Sequence, residues 1–257
     1  MVANAPPKVS IVGITNKEAA TFTTLAIASV VHDFHKLHIK PEDYSKWDRE
    51  KLIGELKKLI EQVYSGEHLQ EIISDVVARY VDREDQKSFA FYIDRYTEFI
   101  SDLLFNAPAV EGILARRDAG WDMYVYLLDH YNDAIWDSKV PKEMRGAPHA
   151  SETPYVSDVF ILKKFEFNED ERAVAEVFQQ SFTEFVKIGA PSNHHEVWLE
   201  VGARSDLRYL RIAPYPELQQ GFYNETVNFW RKIRNYGFDM VQLLPTRKPS
   251  AEIKEEL

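Results

Sequence analysis

Three stretches of this 257-residue chain carry the pattern of a β-strand, and they lie far apart. Residues 8–14 (KVSIVGI) form a short β-branched run behind Pro6 and Pro7. Met123–Leu128 (MYVYLL) follows Gly120. Residues 207–213 (LRYLRIA) alternate apolar with basic side chains, the pattern of a half-exposed, edge-like strand. Most of the remaining chain has helical periodicity. Sheets and helices each need an apolar surface to cover them. Three strands are too few for so much helix, so the chain is expected to be α/β and part of a larger sheet protein.

The helical signals are local and specific. Residues 19–37 hold a helical period without a breaker. Across 45–64, Leu52, Ile53, Leu56, Leu59, Ile60 and Val63 recur on one face, with Ser45 and Asp48 available as caps. Further helices are predicted over 69–81, 86–104 and about 109–117. Glu169–Ile188 begins with a capping-box pattern, Asn168 with Glu171, and stops at Gly189 and Pro191. Its predicted apolar face is Val174, Val177, Phe178, Phe182, Phe185 and Val186. A last helix is expected over 224–236, with a loose tail at 244–257.

Charge and composition narrow the function. A net charge of −10 disfavours binding to phosphate backbones, so no nucleic-acid partner is expected. It gives no support to binding an anionic membrane surface. The chain has no cysteine, which removes thiol nucleophiles and cysteine-based metal sites. Its longest aliphatic stretch, residues 25–31, is far short of the roughly 20 residues of a membrane span. The start, MVANAPPKVS, has no apolar signal-peptide core. The HDFHKLH run places His32 and His35 on one helix face. A polar helix end explains it better than a metal site, so no metal or cofactor is expected. His194 and His195 lie in a polar, solvated loop. Asn224-Glu225-Thr226 is a glycosylation sequon that matters only on the secretory route. Lys254-Glu255-Glu256-Leu257 has the form of an endoplasmic-reticulum retention address, which sets an expectation of the lumen against secreted or cytoplasmic alternatives.

Two loops carry the chemistry. Glu18 follows the first strand in VGITNKEAATF, and His149 follows the second in GAPHASETPY. A serine hydroxyl needs a histidine to take its proton, and the histidine needs a carboxylate on its other ring nitrogen. Acid before histidine, each on a loop beyond a strand, is the order of α/β-hydrolases. Taken alone, these residues also fit a common turn glutamate and a structural histidine.

The motifs resemble the C-terminal half of type-B carboxylesterases, the cholinesterase-like branch of α/β-hydrolases, and most of all nematode gut esterases. VGITNKEAATF is similar to the family's acid loop and GAPHASETPYV to its histidine loop, with Glu152 as the acidic residue after the histidine. WDMYVYLL, FVKIGAPS, RYLRIAP and NFWRKI resemble later family segments in the right order. The resemblance implies a partial α/β-hydrolase fold: C-terminal strands with many helices, residues 1–257 as a portion of one domain, and the N-terminal half missing. It makes Glu18 the triad acid, His149 the base and small carboxylic esters the substrates. None of the ten glycines are four apart, so the Gly-x-Ser-x-Gly elbow is absent. The glycine-rich oxyanion loop is absent too, and the isolated chain is expected to be inactive. A non-catalytic, cholinesterase-like binding protein is the alternative. The family's glycines after acid and histidine are here Ala19 and Ala150, which is tolerable unless either position needs a positive φ.

Overall fold

The computed structural model describes residues 2–25, 34–83 and 88–238. Its sheet has four strands in the order β1 (Ser10–Thr15), β2 (Met123–Leu128), β3 (Tyr209–Ile212) and β4 (Glu217–Gln219). β1 and β2 are parallel, with Ser10 opposite Met123 and Thr15 opposite Leu128. β2 and β3 are parallel, and β3 and β4 antiparallel. Within the predicted 207–213 stretch the strand is Tyr209–Ile212, which alternates in burial, but it is not the edge: β3 lies between β2 and the unpredicted β4. Three polar-flanked residues, ELQ, leave no period for a sequence to show.

Gly13 is opposite Tyr126, whose ring lies over it. A Cβ at Gly13 would fall 2.0 Å from a ring carbon, so only glycine fits that close approach.

Helices cover both faces of the sheet. Tyr124, Tyr126 and Leu128 point toward α7 (Glu169–Ile188), with Phe178, Trp198, Leu210 and Ile212 in the same core. Met123 and Val125 point the other way, packing with Val110, Ile113 and Leu114 of α5 (Ala107–Asp118). Each such fully buried side chain contributes roughly 1.5–3 kcal/mol. A third core needs no strand. Leu52, Leu56 and Ile60 of α2 (Arg49–Glu61) pack with Ile72 and Val76 of α3 (Leu69–Tyr80) and Ile93 and Phe99 of α4 (Phe89–Ser101). Trp230 of α8 (Asn224–Asn235) closes it. The excess of helix over strand is thus met largely by helices packing on one another.

Several boundaries differ from expectation. Asp48 alone caps α2, accepting from Lys51 N at 2.8 Å; Ser45 lies in a 3-10 turn, Pro41–Lys46. The predicted break between 104 and 109 is absent: α4 runs through a π-helical segment, Asp102–Asn106, into α5. Pro108 sits in the first turn of α5. The long helix predicted from residue 19 appears as α1 (Ala20–Thr23) and a 3-10 turn, Phe34–Leu37. The stretch between, with His32, lies outside the described residues, as do the side chain of His35 and the tail from 239 onward with its last four residues. α7 keeps its predicted bounds and capping box, but Val186 is 85% exposed. Twelve residues from Val174, it has turned roughly 120° off the buried face.

Candidate active site: an acid–histidine pair

The parallel pairing of β1 with β2 makes their following loops leave the same end of the sheet, side by side. The loops are then stitched together. Asn16 N donates to Leu128 O at 3.0 Å, Lys17 N to Ala147 O at 2.9 Å and Ala147 N to Asn16 Oδ1 at 2.7 Å. Gly146 passes so close that a Cβ there would be 2.9 Å from Asn16 Oδ1 and 3.0 Å from Lys17 Cβ. Beyond it, His149 N donates to Glu18 O at 3.2 Å, and Thr21 Oγ1 donates to His149 O at 3.3 Å.

These contacts bring together the two residues expected from the sequence. Glu18 Oε2 lies 2.7 Å from His149 Nδ1, and Glu18 Oε1 accepts from Thr15 N, also at 2.7 Å. Both carboxylate oxygens are engaged, and the glutamate side chain is only 4% exposed. A short contact to a buried carboxylate assigns the proton to Nδ1. The hydrogen bond that Nδ1 donates to Glu18 is the main cause raising the pKa of His149 above its usual range, against the opposing effect of burial. The imidazole itself is 48% exposed, and its Nε2 has no partner among the described residues. The arrangement presents an oriented base outward from a buried anion. Phe105, in the π segment, lies against the ring at a centroid distance of 5.0 Å, and Phe22 at 6.4 Å.

Glu152 is close enough to Glu18 for its charge to matter. Burial is the larger influence, and both push its carboxyl pKa up. Its Oε2 is buried without a hydrogen-bond partner. The two alanine substitutions behave differently. Ala19 has an ordinary φ of −74°. Ala150 has φ of +70°, the left-handed region that costs an alanine about 1–2 kcal/mol. The condition for concern is therefore met after the histidine and not after the acid.

Other candidates fall away from this site. The described residues hold no cluster of three or more metal-ligating side chains. His195 is exposed and pairs with Glu176 at 3.0 Å. Thr226 of the sequon is buried, its hydroxyl accepting from Arg79 at 2.9 Å. Of the aromatic residues that the sequence offers as core, Tyr124, Tyr126, Trp136, Tyr155 and Trp230 are buried, and Trp121 is half-buried. No helix among the described residues is long and apolar enough to cross a membrane. What the sequence did not show is the role of α4. Ser101 and Thr97 bond to Ala19 N and the Thr23 hydroxyl beside the acid loop, Phe105 of the following π segment lies against the imidazole, and no motif marks them.

A sequence model of the carboxylesterase family matches residues 1–230. The chain is similar to Gut esterase 1 of Caenorhabditis elegans, 30% identical with 94% of this chain and 44% of that protein covered. It is 29% identical to Gut esterase 1 of Caenorhabditis briggsae, with 100% and 46% covered. Neuroligin-1 of Caenorhabditis elegans is 22% identical over 71% of the chain and 26% of its own length. The chain thus spans less than half the length of these relatives.

Proposed function

The chain belongs to the carboxylesterase family, and we propose that it carries the acid and base of a serine carboxylesterase, with Glu18 and His149 in those roles. The observation that supports this is the 2.7 Å contact between Glu18 Oε2 and His149 Nδ1, on an imidazole that is 48% exposed and whose Nε2 has no partner among the described residues. In the serine-bearing protein, Nε2 takes the hydroxyl proton as the serine oxygen attacks the ester carbonyl. The tetrahedral intermediate collapses, the carbonyl–alkoxy bond breaks, and Nε2 returns the proton to the departing alcohol. Water repeats the cycle on the acyl-serine and releases the acid. Glu18 stabilises the imidazolium formed in each half.

These 257 residues contain no Gly-x-Ser-x-Gly elbow. On this reading they hydrolyse no ester by themselves, since they lack a nucleophile and oxyanion donors worth about 3–4 kcal/mol each. Turnover of an aryl acetate by the isolated chain, abolished in His149→Ala, would refute that. The proposed substrates are small carboxylic esters, and the proposed location is the endoplasmic-reticulum lumen, from the final Lys-Glu-Glu-Leu. Secretion of the native protein on removing those four residues tests the location.

The similarity to Neuroligin-1, a relative not named an esterase, keeps a second reading: a non-catalytic, cholinesterase-like binding protein. Labelling of the serine-bearing protein by a fluorophosphonate, lost in His149→Ala, separates the two. A binder takes up no label.

A further inference from the structure

We propose that Ser101, seconded by Thr97, is a positioning residue: these α4 hydroxyls hold the turn that carries Glu18 where its carboxylate can grip His149. The proposal rests on reading Glu18 and His149 as the acid–base pair.

Glu18 sits in a four-residue link between β1 and α1; on the strand side Thr15 N donates to its carboxylate, and His149 N donates to its carbonyl. The other side is held by α4. Ser101 Oγ accepts from Ala19 N at 3.0 Å and donates to Thr97 O at 2.8 Å. Ala19 precedes α1 and has no side-chain cap, so its N–H is one that a helix start leaves without a partner. One turn back, the hydroxyls of Thr97 and Thr23 are 2.8 Å apart. A further turn back, Asp94 pairs with Lys17. Positions 94, 97 and 101 share one helix face. Along that face α4 takes hold of Lys17, Ala19 and Thr23, residues on both sides of Glu18. One turn onward, Phe105 lies against the imidazole. Both partners are therefore referenced to the same helix.

Ser101 is 4% exposed and Ala19 is fully buried. Removing the Ser101 hydroxyl leaves a buried N–H without an acceptor, a costly state that the turn relieves only by moving. Movement of the turn lengthens the contact from Glu18 to Nδ1, the main cause of the raised pKa of His149.

The test is an NMR titration of the His149 ring in the full 257-residue chain, with the Nδ1–H resonance as a second signal. Glu18→Gln should lower the midpoint by about one pH unit or more. If it does not, the acid–base reading itself fails, whatever Ser101 does. With that control in place, Ser101→Ala should lower the midpoint by roughly 0.3–0.5 units and weaken the Nδ1–H signal. Ser101→Thr, which keeps the hydroxyl, should restore both. Ser181→Ala removes an equally buried hydroxyl on α7, bonded to Asn193, and should leave His149 unchanged. A folded Ser101→Ala with an unmoved midpoint overturns the proposal. So does a fall in Ser101→Thr or Ser181→Ala equal to that in Ser101→Ala. Should Ser101→Ala fail to fold, Thr97→Val decides by the same criterion: a lower midpoint supports the proposal and an unchanged one overturns it.

Discussion

Glu18 and Asp102 are both buried carboxylates, yet they occupy opposite kinds of site. Asp102 is 1% exposed and sealed by its neighbours. It accepts from Tyr80 at 2.8 Å, Asn106 at 2.7 Å and Thr226 at 3.4 Å, with Arg79 3.7 Å away. It ties α3, the π segment and α8 into one helical layer, and burial pushes its pKa up to about 6. Glu18 shares its charge instead with a half-exposed imidazole whose far nitrogen has no partner among the described residues. Depth of burial does not distinguish the carboxylate that ties a helical layer from the one proposed as the acid of the pair. What differs is how far a partner opens to solvent: Arg79, beside Asp102, is 18% exposed, against 48% for His149 beside Glu18.

Substitution should break this comparison first in activity. In the serine-bearing protein proposed above, Glu18→Gln should lower kcat/KM on a simple ester by about 10⁴-fold, the loss expected when the orienting acid is neutralised. Asp102→Asn should stay within roughly tenfold of the parent, because Asp102 touches neither loop of the pair. Similar losses for both would erase the distinction.

Stability should reverse the ranking. Asp102→Ala strips the acceptor from the buried Tyr80 hydroxyl and Asn106 amide, and should cost about 3 kcal/mol or more in urea unfolding. Glu18→Ala strands one backbone N–H, that of Thr15, and should cost less, about 1–3 kcal/mol.

The pH dependence sharpens the contrast, because both folded pKa values are raised but in different windows. Asp102 binds its proton more tightly folded, with a pKa of about 6 against 3.8. Its contribution therefore falls as pH rises from about 4 to 6, by at most about 3 kcal/mol. His149 is also raised, above 6.5, so its contribution is fully present below 6.5 and is lost as pH rises through the folded value. Unfolding measured against pH should show the lower slope flattened in Asp102→Asn and the upper one flattened in Glu18→Gln.

The smallest effect concerns the two alanines. Ala150→Gly relieves a left-handed φ and should gain up to about 1 kcal/mol, read as a Tm rise of a few degrees. Ala19→Gly relieves nothing and should lose roughly 0.5–1 kcal/mol.

Much of this was legible in the residues. β2 and α7 were read to their ends because an aromatic run after Gly120, and a capping box opposite Gly189, are signals a few residues long. Glu18 and His149 were legible as a candidate pair through their motifs. Ser101 was not: its partner, Ala19 N, is 82 residues away and is a backbone atom. The strain at Ala150 was foreseen only as a condition, since a dihedral angle is set by the loops that hold it.

By itself, then, the sequence determined which segments are strand or helix and which two side chains could serve as acid and base. Those choices follow from propensity, periodicity and chemistry carried within short windows. Tertiary structure alone decided that the two residues, 131 positions apart, meet at 2.7 Å, that β3 is interior, and that one helix braces the acid turn. Each of these is a contact between distant parts of the chain, and distance along a sequence carries no distance in space until the strands have paired.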